Sequence, residues 1–329
     1  MVEPIAILNG RVLPLSQAAI SVFDLGFVHG AAVGDMIRTF RHVPFRPDEH
    51  LARLRTGIDA LGIDAAPTDG EYRDAVHEIV KHNAGLMSKD GDLGIIVFAT
   101  AGWNPTYLAA GTSTPSPPHA LTPSPLTGTD HGLVHHSPSE CTWGVHTFPL
   151  PFALWAEKMR HGQQLVIPPA KHIPAECLDG RIKWRNRVHW FLADRAARKV
   201  NPAASALLVD FDGHVTETST ANVFIVRGGR ILTPRPDNTL DGISRRVVFE
   251  LAAELGIPCE YADITPDDAA TAEEAFTSST SVCLMPVATL EGRHIGSESP
   301  GPVYRRLMDA WNQLAGLDIV RQIIGRRET

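Results

Sequence analysis

No run of about 18 apolar residues occurs in this 329-residue chain, so no helical membrane span is expected. The start, Met1 to Gly10, has neither a basic stretch nor a long apolar segment. It does not read as a secretory signal. Cysteine is scarce: Cys141, Cys177, Cys259 and Cys283 are widely spaced, with no Cys-x-x-Cys pair. They read as reduced thiols of a cytoplasmic protein, not as a disulfide frame or a zinc site. The net charge is −7, without the basic excess that nucleic-acid binding requires. No Gly-x-x-x-x-Gly-Lys-Ser/Thr stretch exists, which excludes the common nucleotide-triphosphate loop. Histidines do occur at 29, 131, 135 and 136, but His135-His136 is adjacent rather than at helical i,i+4 spacing. No metal site is expected from them.

What is present is a globular composition, 43% hydrophobic and 20% charged, in a chain long enough for two cores. Pro4 to Pro14 reads as a hairpin around Asn9-Gly10, a favoured two-residue turn. Val33 to Phe45 is strand-like and punctuated near His42. Leu51, Leu54, Ile58 and Leu61 recur at helical spacing and predict a helix over Asp48 to Leu61, with Asp48 as its N-cap. Tyr72 to Asn83 is a second helix, and Leu93 to Thr100 a buried strand. From 103 to 142 seven prolines break any long element, leaving a short strand at 119–122 in a long loop. Beyond it, strands are expected at 143–148, 164–167, 206–210, 223–226 and 230–232, a strand pair over 275–284, and helices at 187–200, 244–255 and 303–314. Strands interleave with helices and antiparallel hairpins are present, so the class is α+β.

Four stretches carry chemistry. Arg181-Ile-Lys-Trp-Arg-Asn-Arg187 holds Lys183 between two apolar residues. His214-Val-Thr-Glu-Thr-Ser-Thr-Ala-Asn-Val-Phe224 follows with Glu217. Leu240-Asp-Gly-Ile-Ser-Arg245 is a glycine turn opening a helix at Ser244, and Ala275-Phe-Thr-Ser-Ser-Thr280 is rich in hydroxyls. Alone, Lys183 is an ordinary snorkelling lysine, Glu217 a solvated carboxylate, and Ser244 a capped helix start. Their order resembles the class IV (fold-type IV) pyridoxal-phosphate enzymes. These include branched-chain and D-amino-acid aminotransferases, (R)-amine transaminases and aminodeoxychorismate lyases.

The resemblance implies pyridoxal 5'-phosphate as cofactor, carried on Lys183 as a Schiff base. It makes Glu217 the partner of the ring nitrogen, with Thr220 and Asn222 beside the ring. It assigns phosphate to Arg53, Ile243, Ser244 and Thr280, where hydroxyls, an arginine and helix-start amides suit a dianion, and counts Leu240 among the cofactor-binding residues. It also implies a small α/β N-terminal domain over 1–125, a 126–137 connector, a β-barrel-like C-terminal domain over 138–329, and a homodimer. The expected reaction is transamination between an amino donor and a keto acid. The alternatives are lyase-type β-elimination on the same cofactor, or a relative that binds ligand without turnover.

The chain departs from the family pattern in places. The tyrosine often found five residues past the lysine is Val188 here. The arginine that D-amino-acid enzymes place after strand 94–100 is replaced by Ala101-Gly102. The aromatic residues of the branched-chain pocket give way to Gly34 and Met36. Arg185 and Arg187 are additions, and with Arg38 they are candidates for binding a substrate carboxylate.

Overall fold

The computed structural model describes residues 3–104, 106 and 141–325. The expected strand at 119–122, the 126–137 connector and His131, His135 and His136 lie outside them. The described chain forms two compact units. Unit 1 comprises residues up to 149 together with 183–186, and unit 2 comprises 150–182 and 187 onward.

Unit 1 holds β1 (Ile5–Leu8), β2 (Arg11–Pro14), the single-turn α1 (Leu25–Val28), β3 (Ala32–Phe40), β4 (Val43–Pro44), α2 (Pro47–Leu61), α3 (Asp69–Asn83), β5 (Leu93–Thr100) and β6 (Thr142–Pro149). Its six-stranded sheet runs β2-β1-β6-β5-β3-β4, antiparallel throughout. The Asn9-Gly10 turn closes Leu8 onto Arg11 with positive φ at both residues, 49° and 74°. Two such residues match the twist of a two-residue hairpin, and only glycine and asparagine adopt the conformation cheaply. Strand alternation divides the sheet between two faces. Asp35, Val97 and Val145 form one cross-strand row. This face meets the helices: Asp35 bonds His50 of α2, and Asn83 of α3 bonds Thr147. Gly34, Met36, Phe98 and His146 stand on the opposite face.

Two expectations are corrected here. Helix α2 starts one residue earlier than expected. Its N-cap is Arg46 at φ 51°, without a side-chain cap, and Pro47 follows at the first helical position. Proline's fixed φ and missing N–H suit that position, so Asp48 falls inside the first turn, where it pairs with Arg73. The second domain does not begin at 138. Strand β6 inserts between β1 and β5 and so belongs to unit 1.

Unit 2 holds α4 (Phe152–His161), β7 (Gln163–Val166), α5 (Val188–Val200), β8 (Ser205–Val209), β9 (Val215–Thr218), β10 (Asn222–Arg227), β11 (Arg230–Pro234), α6 (Ile243–Glu254), β12 (Cys259–Ala262), α7 (Pro266–Ala270), β13 (Glu274–Ser279), β14 (Cys283–Leu290), β15 (Arg293–His294), α8 (Pro302–Ala315) and α9 (Ile319–Ile324). Six of these strands close a ring in the order β10-β13-β14-β7-β8-β9, because β9 pairs back onto β10. A closed ring leaves no open edge. It matches the barrel expected for the larger domain. One core cluster contains Leu165, Leu207, Val215, Val223, Ile225 and Val287, all nearly solvent-free. Phe224 and Phe276 stack at 5.1 Å across β10 and β13, a pair worth about 0.5–1.5 kcal/mol beyond its buried area. Among the described residues no helix is long and apolar enough to cross a membrane.

Candidate functional site

In unit 1 the lysine segment completes the sheet. Gly34 N donates to Lys183 O at 3.2 Å and Arg185 N donates to Ala32 O at 2.8 Å, with Val33 bridged to Trp184. The segment thereby covers the outer edge of β3, whose backbone groups would otherwise be unpaired. Lys183 is half-buried, and its charge helps depress the pKa of His50.

Behind that edge lies a fully enclosed ion cluster. Asp35, two residues along β3 from Val33, accepts Nε and a terminal nitrogen of Arg53 at 2.7 and 2.8 Å. His50 Nδ1 donates to the same carboxylate at 2.8 Å. Burial acts to raise the Asp35 pKa, but Arg53 and His50 outweigh it and hold the carboxyl far below its usual range. His50 is pushed down by burial, and the charges of Arg53 and Lys183 add to this against the pull of Asp35. The hydrogen bond to the Asp35 carboxylate requires a proton on His50 Nδ1. Arg53, the expected phosphate ligand, spends one edge of its guanidinium on Asp35.

The three candidate substrate arginines separate. Arg38 is fully buried: Nε donates to Thr39 O at 3.1 Å, and the guanidinium lies 4.1 Å over Phe40 and 3.9 Å from Asp92. A side chain enclosed in this way is structural, so the reading of Arg38 as a substrate contact is corrected. Arg187, in unit 2, donates to Ser219 O in the turn after Glu217 and packs against Trp190. Arg185, in unit 1, is exposed and lines a cavity.

In unit 2, β9 delivers Glu217 to the barrel seam, where it pairs with Asn222. Glu217 is 8% exposed. Its Oε2 accepts Asn222 Nδ2 and Leu240 N, each at 3.2 Å. Asn222 Nδ2 also donates to Leu240 O at 3.0 Å. A Cβ at Gly242 would collide with Asn222 Oδ1, so the 240–242 turn needs glycine to pack there. Next comes α6, starting at Ile243 with Gly242 as N-cap and no side-chain cap. Its first amides lack helical partners. Ser244 is buried, and Thr280 is half-buried in the turn after β13. Thr220 is exposed, its N–H 3.4 Å from Thr218 Oγ1. Val188, at the expected tyrosine position, opens α5 and is 61% exposed.

Several participants escape a reading of the sequence. His172 donates Nδ1–H to Ile173 O at 3.0 Å, which leaves Nε2 facing Glu217 Oε1 at 3.6 Å. Nothing local marks it. Ser278, paired with Asn222 across β10 and β13, has a buried hydroxyl without a partner. Asp35 does leave a signal, an acid in an apolar strand followed by His50 and Arg53 at helical spacing.

The donor set of unit 2 fits a cofactor with an anionic group and a protonated ring nitrogen. One oxygen of Glu217 is fixed while the other lies beyond hydrogen-bond distance of His172. The amides of α6 are uncapped, and the Ser278 hydroxyl is orphaned. A buried polar group without a partner costs about 1–3 kcal/mol, so a ligand that reaches the Ser278 hydroxyl would offset that deficit.

The model of the family described as Amino-transferase class IV matches residues 32–290. Branched-chain-amino-acid aminotransferase-like proteins 1 and 2 of Arabidopsis thaliana are 29% and 28% identical over 94% of this chain, which spans 50% of the length of each. D-alanine aminotransferase of Bacillus licheniformis is 28% identical over 92% of this chain and 94% of its own. Among solved structures, the branched-chain amino acid aminotransferase of Thermobaculum terrenum in its PLP-bound form superposes with a TM-score of 0.76. The match covers 98% of this chain and 99% of that one at 23% identity, a likeness of fold.

Proposed function

From a chain that belongs to the class IV amino-transferase family, we propose pyridoxal-phosphate-dependent transamination between an amino donor and a keto acid. When bound, the cofactor supplies an electron sink for the electron pair left on the substrate carbon. Lys183 Nζ holds the cofactor covalently, then carries the proton to and from that carbon. General acid–base work of this kind contributes about 10²–10⁴-fold. Glu217 keeps the ring nitrogen protonated through Oε1. The amides of Ile243 and Ser244, with the hydroxyls of Ser244 and Thr280, hold the phosphate, and Arg53 adds charge. Asn222 holds Glu217 in place through a charge-assisted hydrogen bond. Arg187 fixes the turn that carries Thr220.

The observation that carries this reading is Glu217. A carboxylate with one oxygen pinned by the turn that opens α6, and the other left without a donor, calls for an N–H partner beside an anion site. A second copy of the chain is the partner we propose. Val22 and Phe27 of unit 1, 65% and 74% exposed, support an apolar contact, and sedimentation measures it.

The test is visible absorbance of protein incubated with pyridoxal phosphate, before and after borohydride, for wild type and Lys183→Ala. A yellow band fixed by borohydride only in wild type is expected. A wild-type protein that takes up no cofactor overturns the reading. Product analysis then separates transfer from elimination, since pyruvate released without a keto acceptor means the lyase reaction.

A further inference from the structure

Unit 1 contains a cavity of about 650 Å³ on the sheet face opposite its helices. Leu8, Ile20 and Phe98 provide apolar walls, together with Val22 and Phe27, the residues proposed above to meet a second copy, and His146 and Arg185 are among the few polar groups at its lining. We propose that Arg185 binds the carboxylate of the substrate in this cavity, so that the substrate is an amino or keto acid with an apolar side chain. The inference rests on the transaminase reading and narrows its substrate class.

Three observations converge on Arg185. First, it is fixed from the backbone. Its N–H bonds Ala32 O at 2.8 Å, while the preceding Lys183 O accepts from Gly34 N at 3.2 Å. Register along β3 is therefore set by hydrogen bonds on both sides of Trp184. Second, space for it is built into β3. A Cβ at residue 34 would lie 3.1 Å from Arg185 Nε and 3.0 Å from Val97 O. The arginine side chain thus runs through room left by the missing side chain of Gly34, and any larger residue there would displace it.

Third, its charge is left uncompensated. Asp24, the carboxylate at the cavity lining, is already engaged: Oδ1 accepts from Gly26 N at 2.7 Å and Oδ2 from Thr100 Oγ1 at 2.9 Å. The Asp35 carboxylate, which acts on Arg185 through its charge, is held by Arg53 and His50. Among the described residues the Arg185 guanidinium makes no ion pair. Arginine stays charged at neutral pH, and the exposed guanidinium is open to a ligand. Burial and the charge of Arg185 both lower the pKa of His146. A planar guanidinium suits bidentate pairing with a carboxylate. The apolar walls suit an apolar side chain, and a cavity of this size takes a branched or aromatic one.

The experiment is calorimetric binding of 3-phenylpropanoate and its neutral amide, 3-phenylpropanamide. It uses protein loaded with pyridoxal phosphate and protein without added cofactor. Wild type should bind the acid at least about tenfold more tightly than the amide, in line with charge-assisted pairing. Arg185→Gln should weaken the acid about ten- to a hundredfold and leave the amide unchanged, with Arg185→Lys in between. Gly34→Leu, which fills the room used by the arginine, should weaken acid binding with Arg185 still present. Equal affinity of wild type for acid and amide, or acid binding unmoved by Arg185→Gln, overturns the proposal. Cofactor uptake is read separately by absorbance, so a protein that binds the acid through Arg185 yet takes up no cofactor defeats the transaminase reading alone.

Discussion

Asn222 and Glu217 face one another where the barrel of unit 2 closes: they are backbone partners, and Asn222 Nδ2 donates to Glu217 Oε2 at 3.2 Å. The same amide donates to Leu240 O, so one side chain joins the seam, the carboxylate and the turn before α6.

Asn222→Leu removes the amide and leaves Glu217 and the Leu240 carbonyl short of a donor. A loss of about 2–4 kcal/mol in urea unfolding is expected, since buried polar groups are deprived of partners. Asn222→Asp sets a second carboxylate against Glu217. Repulsion between like charges makes that variant weaker relative to wild type at pH 7 than at pH 4. An equal deficit at both pH values would show that the two side chains do not interact as described.

The Asp35–Arg53 pair gives a second expectation. Asp35→Asn leaves Arg53 as a nearly buried charge and should cost about 3–5 kcal/mol, the usual penalty for breaking such a pair. The double change Asp35→Asn with Arg53→Met should cost less than the sum of the two single changes. Additive losses in denaturant titrations would contradict the coupling.

Acid should act through His189. Burial, aided by His172 and Arg187, pushes its pKa from 6.5 to about 4. The folded chain therefore binds fewer protons than the unfolded chain between those values. Stability contributed by neutral His189 is present above pH 6.5 and is lost as pH falls through the window toward 4. Urea midpoints at pH 6.5, 5 and 4 should fall more steeply for wild type than for His189→Gln. Parallel slopes would rule out a contribution from His189.

Much of the fold can be read from local pattern. The Asn9-Gly10 hairpin, β5 over Leu93–Thr100 and α8 near 303–314 follow from turn chemistry and periodicity. Helix α4 lies outside the elements expected above, although Phe152, Trp155 and Met159 stand at helical spacing between Pro151 and Gly162. Long-range partners are not legible. Glu274 of β13 accepts from Val303 N and Tyr304 N at 2.8 and 2.9 Å, capping α8 from a distant strand with no trace in the helix's own sequence. Barrel closure at Glu217 is equally non-local. The order of Lys183, Glu217, Ser244 and Thr280 carries the resemblance to the class IV family. The sequence alone does not separate Arg185, facing a cavity, from Arg38, which is enclosed by Phe40 and Asp92.

The four residues 183–186 pair with β3 although the chain on either side of them belongs to the other unit. During synthesis, residues 1–149 emerge from the ribosome before the piece that finishes their sheet edge has been made. Gly34 N and Ala32 O have no backbone partners until 183–185 arrive. A fragment ending at residue 149 would keep that edge bare and open to pairing with other chains. Covering the edge and bringing Lys183 into place are therefore one event, so a nascent chain cannot complete this sheet without also setting that lysine.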